Sequence, residues 1–230
     1  MYLECKNLSF KYPNNNNKVI NNLCFSIKEP GFKAIFGPSG IGKTSLAKII
    51  ADTSLEFEGK VIKKDINKIL YSYNLERLPG WSTTGKHLNK VIKPEKFVLK
   101  EKLIKIFELE NVLDSKFFEL SMGQQNRINL IRYLLQDYDL LILDESLANV
   151  DEKLREKIIL NIKELFKNKM FLYISHNLYE ISKFCSQILV LAKSSSTKKS
   201  CIINGQNYMK NYPINKKNLN STMLEIMNAF

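Results

Sequence analysis

The sequence has no long hydrophobic run. No stretch of the 230-residue chain approaches 18 consecutive apolar residues, so we expect no membrane-spanning helix. The opening residues, MYLECKNLSF, lack the charged segment and apolar block of a signal peptide, and we expect none. Both absences favour a protein that stays in the cytoplasm.

Cysteine is scarce and scattered. The four cysteines (Cys5, Cys24, Cys185 and Cys201) form no CxxC pair, and no histidine lies beside them. This spacing argues against a zinc site or a disulfide framework. Reduced thiols also fit a cytoplasmic protein.

Acidic residues are outnumbered by basic ones, 23 to 35, which gives a formal net charge of +12. Such an excess can attract nucleic acid or an anionic membrane surface. Here the lysines are spread along the chain and do not alternate with aromatic residues. That distribution favours a general lysine-rich composition, and we expect no nucleic-acid partner.

Strand-like and helix-like segments alternate along most of the chain, which predicts a mainly parallel α/β sheet with helices on its faces. Antiparallel strands are expected near the amino terminus. Helical spacing of leucine and isoleucine from Pro94 to about Lys116, and again after LSMG, predicts a helical insertion at about 75–136. The chain turns polar after Lys193, through SSSTKK. The expected strands are 2–10, 23–27, 33–36, 59–65, 68–73, 140–146, 171–176 and 187–192.

The segment GPSGIGKT (37–44) fits the phosphate-loop pattern G-x-x-x-x-G-K-[ST] between a strand and a helix. Its glycines let backbone N–H groups point at phosphate, and the following helix adds its positive end. Lys43 is expected to reach the β- and γ-phosphates of a nucleotide, and Thr44 to hold Mg²⁺.

The segment LLILDE (140–145) reads as a buried strand that ends in two acids. Asp144 is placed to meet the metal, and Glu145 to orient an attacking water. Together with the phosphate loop, these acids indicate a P-loop nucleotide hydrolase or kinase and leave both alternatives open.

LSMGQ (120–124) distinguishes among the P-loop nucleotide hydrolases and kinases. Taken with GPSGIGKT, LLILDE, SLANVD (146–151) and the lone His176 after FLYIS, it resembles the signature motif of ABC-transporter ATP-binding subunits, which usually reads LSGGQ. Ser121 suits a helix N-cap, and Gly123 allows close approach of a phosphate. The resemblance covers roughly residues 1–192 and leaves 193–230 as a carboxyl-terminal tail.

The resemblance implies a head-to-tail dimer in which LSMGQ faces the ATP held by a second copy, or by a paralogue. It implies that Tyr12 stacks on adenine, that Asp151 lies across the interface and that His176 contacts the γ-phosphate. The implied nucleotide-binding residues are Tyr12, Gly37, Pro38, Ser39, Gly40, Ile41, Gly42, Lys43, Thr44, Ser45, Asn74, Ser121, Gly123, Gln124 and Asp151. Glu145 and His176 are the implied catalytic residues, and Thr44 and Asp144 the metal ligands.

Two positions depart from the family pattern or lack its context. Asn74 stands where the family has a glutamine that senses Mg²⁺, and it is one methylene shorter. His87 lies in no motif and reads as an exposed loop residue. The following RLPGWST (77–83) is similar to a loop of nitrate, sulfonate and taurine importers, where Trp81 either packs in the core or contacts a membrane partner.

These features predict a Mg²⁺-dependent ATPase subunit that powers a transporter of the importer type. It would lie at the cytoplasmic face of the membrane and bind separate permease subunits. The alternatives are a soluble ABC-type ATPase acting on ribosomes or DNA, and a small-molecule P-loop kinase.

Overall fold

A computed structural model describes residues 1–13, 17–53, 55–74, 76–78, 80–193, 199–210 and 212–229. Leu75, where the helical insertion was predicted to begin, Pro79 of RLPGW and residues 194–198 of the polar run lie outside the described residues. Among the described residues, no helix is long and apolar enough to cross a membrane.

The strands form two sheets. In chain order they are β1 (Tyr2–Phe10), β2 (Ile20–Lys28), β3 (Gly31–Phe36), β4 (Glu58–Lys64), β5 (Ile69–Tyr73), β6 (Leu140–Asp144), β7 (Met170–Ile174), β8 (Gln187–Val190) and β9 (Cys201–Asn204). An antiparallel sheet has the order β2-β1-β4, and a larger sheet has the order β5-β6-β7-β3-β8-β9. The larger sheet is parallel except for β9, which runs antiparallel to β8. This confirms the predicted fold class.

The α-helices connect these strands and cover the larger sheet. They are α1 (Lys43–Ile50), α2 (Thr84–Val91), α3 (Phe97–Ile106), α4 (Met122–Leu134), α5 (Glu152–Leu165), α6 (Leu178–Phe184) and α7 (Lys216–Asn228). The helix predicted from Pro94 to about Lys116 is shorter than expected. It ends at Ile106, because Glu108 takes a left-handed backbone conformation with φ 55°, and short 3-10 turns follow.

The central strands are buried on both faces, which explains their nearly continuous apolar sequence. Leu140 and Ile142 of β6 pack in a core with α1 and the antiparallel sheet. Leu141 and Leu143 point the other way, into a core with α4 and α5. The sheet is therefore packed between two cores. Because its paired strands from β5 to β8 are parallel, their carboxyl ends lie at one edge.

Two side chains differ from their sequence-based interpretation. His87 lies on α2 and is half-buried, so it is not an exposed loop residue. Burial, followed by the charges of Arg132 and Lys90, lowers the pKa of His87. Trp81 is 82% exposed, which excludes the core-packing alternative.

Residues after Lys193 add to the larger sheet. β9 extends it beside β8, and α7 packs against α6. Lys163 of α5 links that helix to the segment after β9. Its buried ammonium donates to the carbonyl oxygens of Phe184 and Tyr208, both at 2.7 Å, and to Asn207 Oδ1 at 3.0 Å. Burial lowers the pKa of Lys163 to about 8.

Candidate functional site

The phosphate loop joins the carboxyl end of β3 to the first residue of α1. Gly42 has φ 106°, and a Cβ there would lie 2.9 Å from Val19 Cγ1, so the position requires glycine. Gly40 is also left-handed, with φ 76°. These conformations turn the chain so that α1 begins at Lys43 with its amino end at the loop.

The Lys43 side chain is 7% exposed and bends back over the phosphate loop. Its ammonium donates to the carbonyl oxygens of Gly37 at 2.8 Å and Pro38 at 2.9 Å. Burial lowers the pKa of Lys43, whereas the carboxylates of Glu145 and Asp144 raise it. A buried cation at the amino end of a helix is an arrangement that suits a phosphate.

Asp144 lies at the end of β6, beside the phosphate loop, and is 6% exposed. Its Oδ2 accepts hydrogen bonds from Thr44 Oγ1 and from the Tyr71 hydroxyl, both at 2.8 Å. Burial, and then the hydrogen bond to Asp144, raises the pKa of Tyr71, so the phenol stays protonated and remains a donor.

The chemistry of this donor set fits magnesium. Within the described ranges, no group of three or more His, Cys, Asp or Glu side chains could hold a metal ion by itself. Thr44 and Asp144 instead offer hard oxygen donors, and Mg²⁺ commonly completes its shell with waters and substrate phosphates. The pair therefore fits Mg²⁺ that binds together with a nucleotide.

Glu145 and His176 meet across the neighbouring ends of β6 and β7. His176 Nε2 lies 2.6 Å from Glu145 Oε1. Glu145 has a left-handed backbone with φ 54°, and its N–H donates to the carbonyl oxygen of Ile174 at 3.1 Å. This backbone bond ties Glu145 to the end of β7, next to His176.

Asn74 follows β5 directly and joins two other segments of its own chain. Its Oδ1 accepts hydrogen bonds from Asn126 Nδ2 at 2.7 Å and from Asn149 Nδ2 at 3.2 Å. Asn126 belongs to α4, and Asn149 lies in the loop after β6. Asn74 also lines one cleft with Thr44, Asp144 and Glu145.

The LSMGQ segment forms the amino end of α4. Ser121 Oγ accepts from the Gln124 N–H at 3.3 Å, and Gln124 Oε1 accepts from the Ser121 N–H at 2.9 Å, which forms a reciprocal capping box. Gly123 packs against the loop after β6: an added Cβ would lie 2.2 Å from the Asn149 carbonyl oxygen. The glycine is therefore needed for packing inside the chain.

Two further predicted residues make local contacts. The Tyr12 hydroxyl lies 2.8 Å from Ser45 Oγ, and its half-exposed ring meets Phe10 edge-on, with 4.9 Å between centroids. Asp151 caps α5, since its Oδ1 accepts from the Leu154 N–H at 3.0 Å. Their predicted contacts with adenine and with a second subunit stay predictions.

Most of the predicted residues fall into two groups in the structure. One group surrounds the phosphate loop and the ends of β6 and β7; the other lies at the amino end of α4. The sequence motifs did not point to Tyr71, Asn126 or Asn149, which link or brace these groups. Tyr71 carried a usable signal, because it lies near the carboxyl end of a predicted strand, next to a predicted site.

Comparisons with known proteins identify the family. Residues 20–148 match the family model described as ABC transporter. A zinc import ATP-binding protein of a Wolbachia species is 32% identical over 82% of this chain and 78% of its own length. An aliphatic sulfonates import ATP-binding protein of Bacillus thuringiensis is 27% identical, over 84% of this chain and 82% of its own.

Some relatives are considerably longer. A spermidine/putrescine import ATP-binding protein of Borreliella afzelii is 29% identical over 82% of this chain, which spans 59% of that relative's length. These relatives differ in the cargo they are named for, so similarity in this domain follows the family and not the cargo.

Solved structures share the fold. A dimeric ATP-binding cassette in a post-hydrolysis state, bound to ADP and phosphate, superposes with a TM-score of 0.70 at 23% identity, over 82% of this chain and 94% of the other. A bacterial Atm1-family ABC exporter with ATP bound gives a TM-score of 0.72 at 19% identity, over 83% of this chain and 37% of the other. The family match, the importer relatives and the site geometry lead to one conclusion: the chain belongs to the ABC transporter family and contains its ATP-binding domain.

Proposed function

We propose that this chain binds and hydrolyses ATP to power a membrane transporter. The observation that carries the proposal is the convergence of three strand ends: the phosphate loop after β3, Asp144 and Glu145 at the end of β6, and His176 after β7. Ligands of parallel α/β sheets bind at this edge, where helix amino ends and acidic side chains meet. The ATP-binding domain would cover residues 1–192, with a helical part at about 75–136.

The phosphate loop would hold the β- and γ-phosphates through its backbone N–H groups and Lys43. In the structure, Lys43 is bonded to two loop carbonyls, and we propose that it turns to phosphate when nucleotide enters. Thr44 and Asp144 would hold Mg²⁺, which when bound neutralises phosphate charge. Tyr12, whose hydroxyl contacts Ser45 Oγ, would stack on adenine.

Glu145 and His176 would act on the water that attacks the γ-phosphate. Glu145 can accept a hydrogen bond from that water and orient it, and His176 can donate to the phosphate. Their 2.6 Å contact supports this pairing, because it brings the carboxylate and the imidazole side by side. Hydrolysis would transfer the γ-phosphoryl group to water and release it as phosphate. It would need no second substrate as acceptor, which separates this function from that of a kinase.

The decisive experiment replaces Glu145 with glutamine. The amide keeps the shape but removes the acceptor, so ATP binding should persist while phosphate release falls by about 10²–10⁴-fold. The matched control is Glu152→Gln, an exposed glutamate on α5 that should leave both quantities unchanged. Hydrolysis by Glu145→Gln close to that of the wild type would contradict the assignment.

We further propose that two copies, or one copy and a paralogue, form a head-to-tail dimer with LSMGQ facing the partner's ATP. The position of LSMGQ at the amino end of α4 supports this, because a helix amino end carries partial positive charge that suits an anion. Ser121→Arg should then leave ATP binding by the monomer near normal, whereas Lys43→Ala should weaken it. An equal loss in both variants would refute this arrangement.

Transport would require membrane permease subunits that bind this chain at the cytoplasmic face. Three relatives are named as import ATP-binding proteins, which supports the importer direction. Trp81 and Phe118 are 82% and 65% exposed, and Phe118 lies against Gly80, the residue before Trp81. Two large exposed aromatic side chains in this region support a partner-binding role. Trp81→Ala should weaken co-purification with a permease, while the equally exposed Val98→Ala on α3 should not.

A further inference from the structure

Tyr71 is bonded to the acid that we assign to magnesium. Its hydroxyl donates to Asp144 Oδ2 at 2.8 Å, the same oxygen that accepts from Thr44. Resting on the proposed function, we propose that Tyr71 is a positioning residue that orients the Asp144 carboxylate for Mg²⁺. Partners of this kind fix the orientation of a ligating carboxylate and tune its affinity for the metal.

Strand register explains why Tyr71 can reach the carboxylate. In the β5–β6 pair, Tyr73 lies opposite Asp144, and Tyr71 lies opposite Ile142. A tyrosine two residues back along the strand is long enough to place its hydroxyl on the acid. The ring is partly buried and stacks on Tyr73, with 5.7 Å between centroids and an interplanar angle of 24°. Both contacts restrict where the hydroxyl can point.

The neighbouring Asn74 is engaged elsewhere. Its Oδ1 accepts from Asn126 and Asn149, so its side chain connects β5 to α4 and to the loop after β6. Tyr71 is thus the side chain of this segment that is bonded to Asp144. Thr44 is itself assigned to the metal, whereas Tyr71 would act only through the carboxylate.

The test compares Tyr71→Phe with Tyr73→Phe, both in the Glu145→Gln background so that ATP is not consumed. Each variant keeps its aromatic ring and loses one hydroxyl. Mn²⁺ serves as the probe, and free Mn²⁺ is followed by electron paramagnetic resonance in the presence of ATP. Tyr71→Phe should weaken Mn²⁺ binding about tenfold, the scale found when a ligand's supporting partner is removed. Tyr73→Phe should leave it unchanged.

A second measurement separates orientation from general damage. The affinity for a fluorescent ATP analogue in EDTA should be the same in both variants and in the parent, because Tyr71 acts on the metal and not on the phosphates. In the turnover-competent chain, Tyr71→Phe should raise the Mg²⁺ concentration for half-maximal hydrolysis about tenfold. The KM for ATP at saturating Mg²⁺ should not change.

Equal Mn²⁺ affinity in the two variants would overturn the proposal, as would a parallel loss of metal-free ATP binding in Tyr71→Phe. Should Tyr71→Phe fail to fold, Tyr71→Met provides the same loss of donor with a flexible side chain. Failure of the proposed function looks different: the parent chain itself would then bind no nucleotide, with or without metal.

Discussion

Replacing Asn74 with alanine should destabilise the isolated chain without any nucleotide present. Asn74 Oδ1 is the common acceptor for Asn126 Nδ2 at 2.7 Å and Asn149 Nδ2 at 3.2 Å. Through these bonds it ties the end of β5 to α4 and to the loop after β6. Alanine keeps the backbone bond from Asn74 N–H to the Asp144 carbonyl oxygen, so the change removes only the side-chain contacts.

The two lost hydrogen bonds should differ in cost. Asn126 is 2% exposed, and removing the acceptor of a buried donor costs about 1–3 kcal/mol. Asn149 is exposed and can bond to water instead, so its share should be about 0.5 kcal/mol or less. The sum is about 2 kcal/mol in the free energy of unfolding.

Equilibrium unfolding in urea measures this difference. With a denaturant dependence of about 2–3 kcal/mol per molar, the midpoint should fall by about 0.7–1 M. The matched control is Asn149→Ala, which removes only the exposed donor to the same acceptor and should shift the midpoint by about 0.2 M or less. If Asn74→Ala moved the midpoint no further than this control, the bond to buried Asn126 would not stabilise the fold.

Three other changes test separate parts of the structure. Gly123→Ala should lower the free energy of unfolding of the nucleotide-free chain by about 1–3 kcal/mol, because the new Cβ overlaps the Asn149 carbonyl oxygen. Thermal melting measures this loss, with Met122→Ala at an exposed position as the control. Equal melting temperatures in the two variants would refute the prediction. Lys43→Ala should weaken ATP binding in equilibrium titrations and abolish hydrolysis, since it removes the buried cation of the phosphate loop. Unchanged affinity and turnover would mean that this loop is not the nucleotide site. Lys163 has a pKa lowered by burial to about 8, so its folded form sheds a proton that the unfolded chain keeps up to about pH 10. Urea unfolding at pH 7 and pH 10 should therefore show the wild type gaining stability relative to Lys163→Met as pH rises. If the difference in unfolding free energy between the two proteins were the same at both pH values, the lowered pKa of Lys163 would be contradicted.

Much of the local structure follows from short-range sequence patterns. The apolar run of 140–143 predicts a strand buried on both faces, and the structure confirms it. The glycines of 37–42 predict a loop that turns between strand and helix. In the structure, the left-handed conformation at position 42 requires a glycine. These features could be read from the sequence because each depends on residues within one turn or strand, where side-chain size and backbone geometry dominate.

The contacts across the site depend on strand order and register, which no short segment contains. Tyr71 meets Asp144, and Asn74 meets Asn126 and Asn149, only because β5 lies beside β6 and α4 packs over their ends. Likewise, Gly123 is as much a packing residue as a candidate phosphate contact, since the Asn149 backbone fills the space beside it.

The sequence by itself determined the fold class, the phosphate loop, the acids at 144 and 145 and the helix cap at Ser121. Tertiary structure alone decided which side chains brace them. The physical reason is the distance along the chain over which each feature is set. Helix capping, turn geometry and apolar periodicity each depend on residues only a few positions apart. A hydrogen bond between Tyr71 and Asp144, 73 residues apart, exists only after the two strands have paired in a single register.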